Sequence, residues 1–442
     1  MSIRRVILAA AVIMALPTLA LAQTSRVAGM SVPGDYIKDY TGIYTYTSGI
    51  VNVGNLVYGE LGSTPSSTGA PATGTPGVSD RAVGSVLQNL FDGKFGTWGI
   101  HLREITPALG QGDFTTNPNI GNAGFDPNAN TNESFDLMWG RKFGTTSLGL
   151  RLNRSFFEAK SEPIGGAETD LQFDPIAAAA FGENLARNIW GFGGGLGFEM
   201  NANTNVEVSF LYQSRTYEHT IPAGPPPGTS KTEDDGPSTY MLAARAFYQM
   251  QPNMLLVPVF KYYSYDLSQK STAPVATFDN SLKGWQAGVA GNWTVGNNDL
   301  FVLGLAFAQN KVEQEDGTFA IDTDPTTPGI GPGEALIDGK ATETIAPEIF
   351  SALETHVNNW LTLRFGARKG VYNKLKIEPT AGGSAETSSS PFLMSLGAGV
   401  KLGTLQLDAV MNDVFPQTLG GWFSNDPDGI VAFPKVTATY SF

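Results

Sequence analysis

Lys435-Val436-Thr437-Ala438-Thr439-Tyr440-Ser441-Phe442 alternates strictly. Val436, Ala438, Tyr440 and Phe442 make one apolar face, and Lys435, Thr437, Thr439 and Ser441 make the opposite, polar one. Successive side chains of a strand point to opposite sides, so this stretch reads as a strand with one dry and one wet face. The same pattern recurs upstream at 148–153, 205–210, 362–368 and 405–409. In a membrane barrel it puts one face to lipid and the other into the lumen.

The opening of the chain reads as an export signal. Arg4 and Arg5 form a positive region, 6–16 is apolar, and Ala20-Leu21-Ala22 is a small-x-small site, so cleavage is expected after Ala22. The competing reading, a membrane anchor, meets two obstacles: the stretch is short for a span of about 20 residues, and Pro17 interrupts it. With no cysteine in the chain, a lipoprotein, disulfides, thiolate metal sites and thiol nucleophiles are excluded. No other run reads as a transmembrane helix, which leaves an exported soluble protein or a barrel. Charged residues make up only 16%, against roughly 25% in soluble domains. The net charge of −13, or −15 once Arg4 and Arg5 are lost, argues against nucleic acid as a partner.

Turn chemistry sets the strand count. Seven short turns lie near 92–93, 144–145, 201–205, 251–253, 296–298, 358–359 and 403–404, each built from Asn, Gly, Asp or Pro. Eight long polar connections separate them, at about 63–81, 106–132, 159–187, 219–238, 267–282, 313–339, 371–390 and 413–431. Together they join sixteen strands. The first hairpin, near 83–102, carries the weakest signal, so fourteen is the fallback. The reading is an all-β, transmembrane antiparallel β-barrel over 51–442, after a signal at 1–22 and a separate segment at 23–50. A soluble sandwich fits less well. The strands match the 9–11 residues of a tilted crossing, and Trp98, Trp139, Trp190, Trp285, Trp293 and Trp360 sit near strand ends as interfacial girdles require. The expected location is a bacterial outer membrane, with its lipids and lipopolysaccharide as partners. The C-terminal strand resembles the closing strand of bacterial outer-membrane barrels, which implies recognition of Phe442 by the barrel assembly machinery.

Residues 26–47 do not alternate. Arg26-Val27-Ala28-Gly29-Met30 leads into an acidic stretch with Asp35 and Asp39. This segment resembles the N-terminal region of the long-chain fatty-acid transporter family of outer-membrane barrels and its relatives, in which an Arg-x-x-Gly-Met-type opening begins a hatch that plugs the lumen. The family's Asn-Pro-Ala turn is absent, and Tyr46-Thr47-Ser48 stands near its place. The resemblance implies hatch roles for Arg26, Gly29, Met30, Asp35 and Asp39. The alternative is an unstructured tail, for which Tyr36, Ile37, Tyr40, Ile43, Tyr44 and Tyr46 are too apolar.

Alternation assigns Arg103, Arg151, Arg215, Arg245, Lys261, Arg364, Arg368 and Lys435 to the lumen, with Asp136, Glu199, Glu207, Glu348, Glu354 and Asp408 opposing them. Such residues either bias ion passage or pair across strands and brace the interior. Both readings stand on sequence alone. Residues 174–187 read as a short helix capped by Asp174 with Pro175 in its first turn, which either offers Ile176, Phe181 and Leu185 to narrow the pore or meet an apolar ligand, or packs on the loops with no substrate role. The acidic loop clusters at 233–235, 313–316, 322–324 and 425–428 read as solvated, with bridging of divalent cations to lipopolysaccharide as the lesser reading. His101, His219 and His356 lie far apart, and His101 has no recognisable partner, so catalysis is not expected and no cofactor or metal is called for. The expected function is a channel or transporter for passive passage of small solutes, with hydrophobic ones as one option. A non-conducting barrel acting as an anchor or interaction platform is the alternative.

Overall fold

Four of the seven tight turns place residues at positive φ where the chain must reverse. These are Asp92, Gly93, Gly144, Gly296, Asn298 and Gly403, with φ between 52 and 73°. A computed structural model describes residues 25–63, 79–88, 90, 92–103, 133–160, 184–223, 228–235, 238–266, 268–272, 275–278, 280–296, 298–314, 320–321, 335–336, 339–380, 382–411 and 435–442. The turns and the pairing between them build a closed sixteen-stranded antiparallel barrel. Its strands are β1 (Leu56–Ser63), β2 (Ser79–Leu87), β3 (Thr97–Arg103), β4 (Glu133–Phe143), β5 (Thr146–Lys160), β6 (Asn184–Asn201), β7 (Thr204–Ala223) and β8 (Ser238–Gln251). They continue as β9 (Met254–Asp266), β10 (Asn280–Val295), β11 (Asp299–Gln314), β12 (Gly339–His356), β13 (Leu361–Gly370), β14 (Phe392–Leu402), β15 (Leu405–Met411) and β16 (Lys435–Ser441). Neighbours in this order pair, and β16 returns to β1 with Val57 opposite Tyr440. The hairpin of weakest sequence signal forms, with Val83 opposite Leu102. Closure removes both sheet edges, which is what lets strands cross lipid.

Alternation is visible in burial. Along β9, Val257, Val259, Lys261, Tyr263 and Tyr265 are buried, while Pro258 and Phe260 between them are exposed. The outward set includes Leu150, Phe192, Phe210, Leu242, Leu303, Phe307 and Phe365, a continuous apolar belt. Tyr240, Tyr262 and Trp285 rim it at the long-loop end, where Tyr262 faces Trp285 in register. Phe143, Tyr248, Phe301, Trp360, Tyr440 and Phe442 rim the short-turn end. The guanidinium of Arg154 lies 4.2 Å over the Trp190 ring, a pairing suited to an interface.

At the long-loop end the wall rises beyond the belt. Gly228–Asp234 pairs with β7 and with Gln269–Thr272, which pairs in turn with Val275–Phe278. In this ribbon the Lys231 ammonium lies 2.9 Å from Glu233 and 3.3 Å from Glu218. Lys270 lies 3.4 Å from Glu233 and 3.5 Å from Asp235. Hydrogen bonds from Lys231 and Lys270 hold the Glu233 carboxyl below its usual range. The acidic cluster at 233–235 is thus partnered by lysines. The clusters at 322–324 and 425–428, and the export signal, lie outside the described residues.

The helix expected over 174–187 is corrected at its end. Residues 184–187 belong to β6, where Leu185 stands between Ala159 of β5 and His219 of β7. Both neighbours extend past the belt and offer free backbone groups, and pairing with both outweighs a short alanine-rich helix that is marginal in water. Ile176 and Phe181 lie outside the described residues.

Candidate functional site

Residues 25–53 fold into short helical turns inside the barrel: Ser25–Ala28, Gly34–Tyr36, Tyr40–Tyr44 and Thr47–Asn52. Pro33-Gly34 and the β-branched and aromatic residues that follow do not support a longer helix. The Asp39 carboxylate starts one turn, accepting from Thr41 N at 3.1 Å and Thr41 Oγ1 at 2.7 Å. The first barrel strand starts at Leu56, so the segment runs slightly past the 23–50 expected from sequence.

Two apolar contacts seat the segment. Val27, Met30, Val32, Tyr36 and Ile37 pack on Phe247, Val257, Val259, Val302 and Phe350. Ile43, Tyr44 and Ile50 pack on Leu56, Tyr58, Val86 and Met138 of the opposite wall. The segment thus bridges the lumen from β1–β4 to β8–β12. Inward glycines admit it. A β-carbon at Gly366 would overlap the Met30 carbonyl oxygen, and one at Gly149 would overlap the Thr47 backbone. At Gly29, an added carbon would come within 3.0 Å of the Gly397 Cα.

The inward charges hold the same segment. Arg26 is bidentate to Glu354, at 2.8 and 2.9 Å, and reaches Asp39 at 3.2 Å. Glu354 also accepts from Arg364 Nε at 2.6 Å, and Arg364 donates to Asp408 at 2.7 Å. Asp35 pairs with Lys261. Arg245 donates to Glu207 at 2.6 Å and to the Asp35 carbonyl at 3.2 Å, with its guanidinium 4.0 Å over the Tyr46 ring. Arg151 donates to Asp136 at 2.7 Å and to the Tyr44 carbonyl at 2.7 Å. Asn292 Nδ2 donates to the Tyr36 carbonyl at 2.8 Å. Buried ions need such complete pairing.

The sequence-predicted residues therefore divide. Arg151, Arg245, Arg364, Glu207 and Asp408 are brought together around the segment, and Arg26, Gly29, Met30, Asp35 and Asp39 are the segment's own contacts. Arg103 pairs with Glu60 at 2.9 Å. Arg368 and Glu348 pair at 3.0 Å. Glu199 shares the inward register but stands exposed at the short-turn rim, 2.5 Å from Lys142. Arg215 sits in β7 opposite Ile189. His101, expected to be unpartnered, has its Nδ1 3.4 Å from Asp136 and its ring 4.7 Å from that of Tyr44. Sequence reasoning missed Glu60 and the inward glycines. A glycine on the inward register of a clean alternating strand was the available signal for the latter.

Beyond Lys261, toward the long loops, the inward face turns apolar. Leu211 stands opposite Met241, and Met241 opposite Tyr263. One level higher, Tyr265, Leu282, Val312, Ala341 and Ile377 follow one another in register from β9 to the strand Asn373–Pro379. With Leu375 they form one cluster, in which Ile377 is partly buried. Tyr263 bonds Asn310, whose Nδ2 donates to Glu343 at 3.0 Å.

No family model and no curated protein matches the chain. Among solved structures it is similar to a Pseudomonas aeruginosa FadL homologue, at 11% identity over 95% of this chain and 98% of that one, with a TM-score of 0.40. It is similar to the Ralstonia pickettii toluene transporter TbuX, at 8% identity over 95% and 97% of the two chains, with a TM-score of 0.35. BauA, the ferric preacinetobactin receptor from Acinetobacter baumannii, matches at 9% identity and a TM-score of 0.45, over 80% of this chain and 53% of that one. These likenesses are distant, and the barrel assignment rests on the chain's own strand pairing.

Proposed function

We propose that this protein is an outer-membrane barrel that passes small apolar solutes and is closed at rest by residues 25–53. The observation that carries this reading is the order of layers along one wall. The apolar arc of Leu211, Met241, Tyr263, Tyr265, Leu282 and Val312 lies at the long-loop end, and the ion-paired segment lies below it. A solute moving inward along this wall meets apolar and aromatic side chains ahead of the ion pairs, which favours neutral, apolar molecules. Below the arc each cation of the segment's seat already holds a carboxylate, so the charges serve as fastenings, and a bare ion finds no selective ring. Passage requires the segment to shift, because its aromatic residues span from wall to wall.

Ser31 Oγ donates to Ser395 Oγ at 2.6 Å, and the chain has no native cysteine. The double variant Ser31→Cys/Ser395→Cys is therefore placed to lock the segment to β14. In whole cells, uptake of a radiolabelled neutral arene is expected to fall to the barrel-less background when this pair is oxidised and to recover on reduction. Met241→Glu with Val312→Glu is expected to lower the same uptake at least about tenfold, since burying two unpaired carboxylates costs several kcal/mol. Uptake unaffected by both changes would refute passage through the lumen and favour the anchor reading.

A further inference from the structure

The outward face at the long-loop end holds an unexpected row of lysines. In an antiparallel pair, Lys283 of β10 stands directly opposite Lys311 of β11, and both are exposed. Like charges directly opposite each other repel. Both lie on the lipid-facing register, two residues along the strand from Trp285 and Gln309, where the apolar belt ends. Lys340 follows on β12, and Lys374 and Lys376 on the adjoining strand Asn373–Pro379.

The carboxylates nearby do not balance them. Glu313 serves two lysines, Lys311 at 2.6 Å and Lys340 at 3.1 Å. Glu386 takes Lys374 at 2.7 Å, and Glu378 takes Lys376 at 2.6 Å. Among the described residues Lys283 has no ion-pair partner. Asp266, one strand to the side, accepts from Ser268 N at 3.1 Å. Among the described residues, a chain of net charge −13 thus gathers five lysines against four carboxylates, Glu313, Glu378, Glu386 and Asp266, on one outward patch.

We infer that this patch binds the phosphates of lipopolysaccharide in the outer leaflet, with Lys283 and Lys311 as the principal contacts. Three observations select that occupant. The patch faces lipid, and it lies just above the aromatic rim, at headgroup depth. Its charge complements a bisphosphorylated sugar anchored by acyl chains, which would lie along Trp285, Phe307 and Leu305 below. An anion bridging Lys283 and Lys311 also relieves their opposition across the ladder.

The test is native mass spectrometry and thermal melting of the full-length refolded barrel in detergent, titrated with bisphosphorylated lipid A. The comparison probes are lipid A stripped of both phosphates and inorganic phosphate alone. One lipid A per barrel and a raised melting temperature are expected, with little response to either comparison probe. Lys283→Gln/Lys311→Gln is expected to weaken binding about thirtyfold, at roughly 1 kcal/mol per lysine near a lipid surface. Lys231→Gln, on the ribbon outside the patch, serves as a control that is expected to bind as the parent does. Equal binding of dephosphorylated lipid A, an equal response to inorganic phosphate, or an unchanged affinity in the double variant would overturn the inference. Because neither readout involves solute passage, the inference stands or falls apart from the proposed transport.

Discussion

Replacing Arg364 with alanine is expected to cost about 3–5 kcal/mol, among the largest single losses available in this barrel. Its guanidinium is 2% exposed and holds two carboxylates at once, Glu354 at 2.6 Å and Asp408 at 2.7 Å. Without it, Asp408 keeps only the Gln406 amide, at 2.9 and 3.0 Å. Glu354 keeps only Arg26. Asp408 is then buried with no cation and Glu354 with one, Arg26 of the segment itself, so the wall and the seat of residues 25–53 weaken together. Lysine at 364 restores the charge without the fork and is expected to recover part of the loss. Urea unfolding in lipid vesicles, followed by tryptophan fluorescence, should order the three proteins as parent, lysine, alanine. An alanine variant as stable as the parent would show that these ion pairs contribute nothing net.

Gly366→Val separates the segment from the wall. Valine suits a strand better than glycine, so β13 itself is not expected to weaken. Its side chain, however, would occupy the space of the Met30 carbonyl. That atom belongs to backbone pinned on one side by Arg26 with Glu354 and on the other by Asp35 with Lys261. Small rotamer changes cannot relieve a backbone overlap, and the expected result is displacement of the segment at a cost above the about 1–3 kcal/mol of ordinary overpacking. Trypsin should then cut at Arg26 or Lys38 at least about tenfold faster, while the barrel still migrates as a folded species on an unheated gel. Unchanged protection at Arg26 would mean that the segment does not rest on Gly366.

Much of the barrel was legible because alternation and turn chemistry are local. Lys435 to Phe442 declares its two faces without reference to any other strand, and Gly144, Gly296 and Gly403 mark reversals by their own backbone freedom. The lumen charges were legible for the same reason, but only as a face. That Arg245 meets both Glu207 and the Asp35 carbonyl depends on how a non-periodic segment docks more than 200 residues away in the chain, and no spacing rule encodes it. The segment's aromatic content showed that it needed cover, yet the cover came from wall glycines such as Gly149, which in sequence look like weak strand positions. Leu185 was misread because an alanine-rich stretch has real helix propensity. Two extended neighbours override that propensity by offering backbone partners on both sides.

Single-channel conductance in a planar bilayer, compared between the intact mature barrel and one lacking residues 25–53, tests most directly whether this segment closes the lumen. The intact protein is expected to be silent or nearly so, and the truncated one is expected to conduct steadily. Steady conductance in the intact protein, or silence in both, would contradict a lumen closed by residues 25–53.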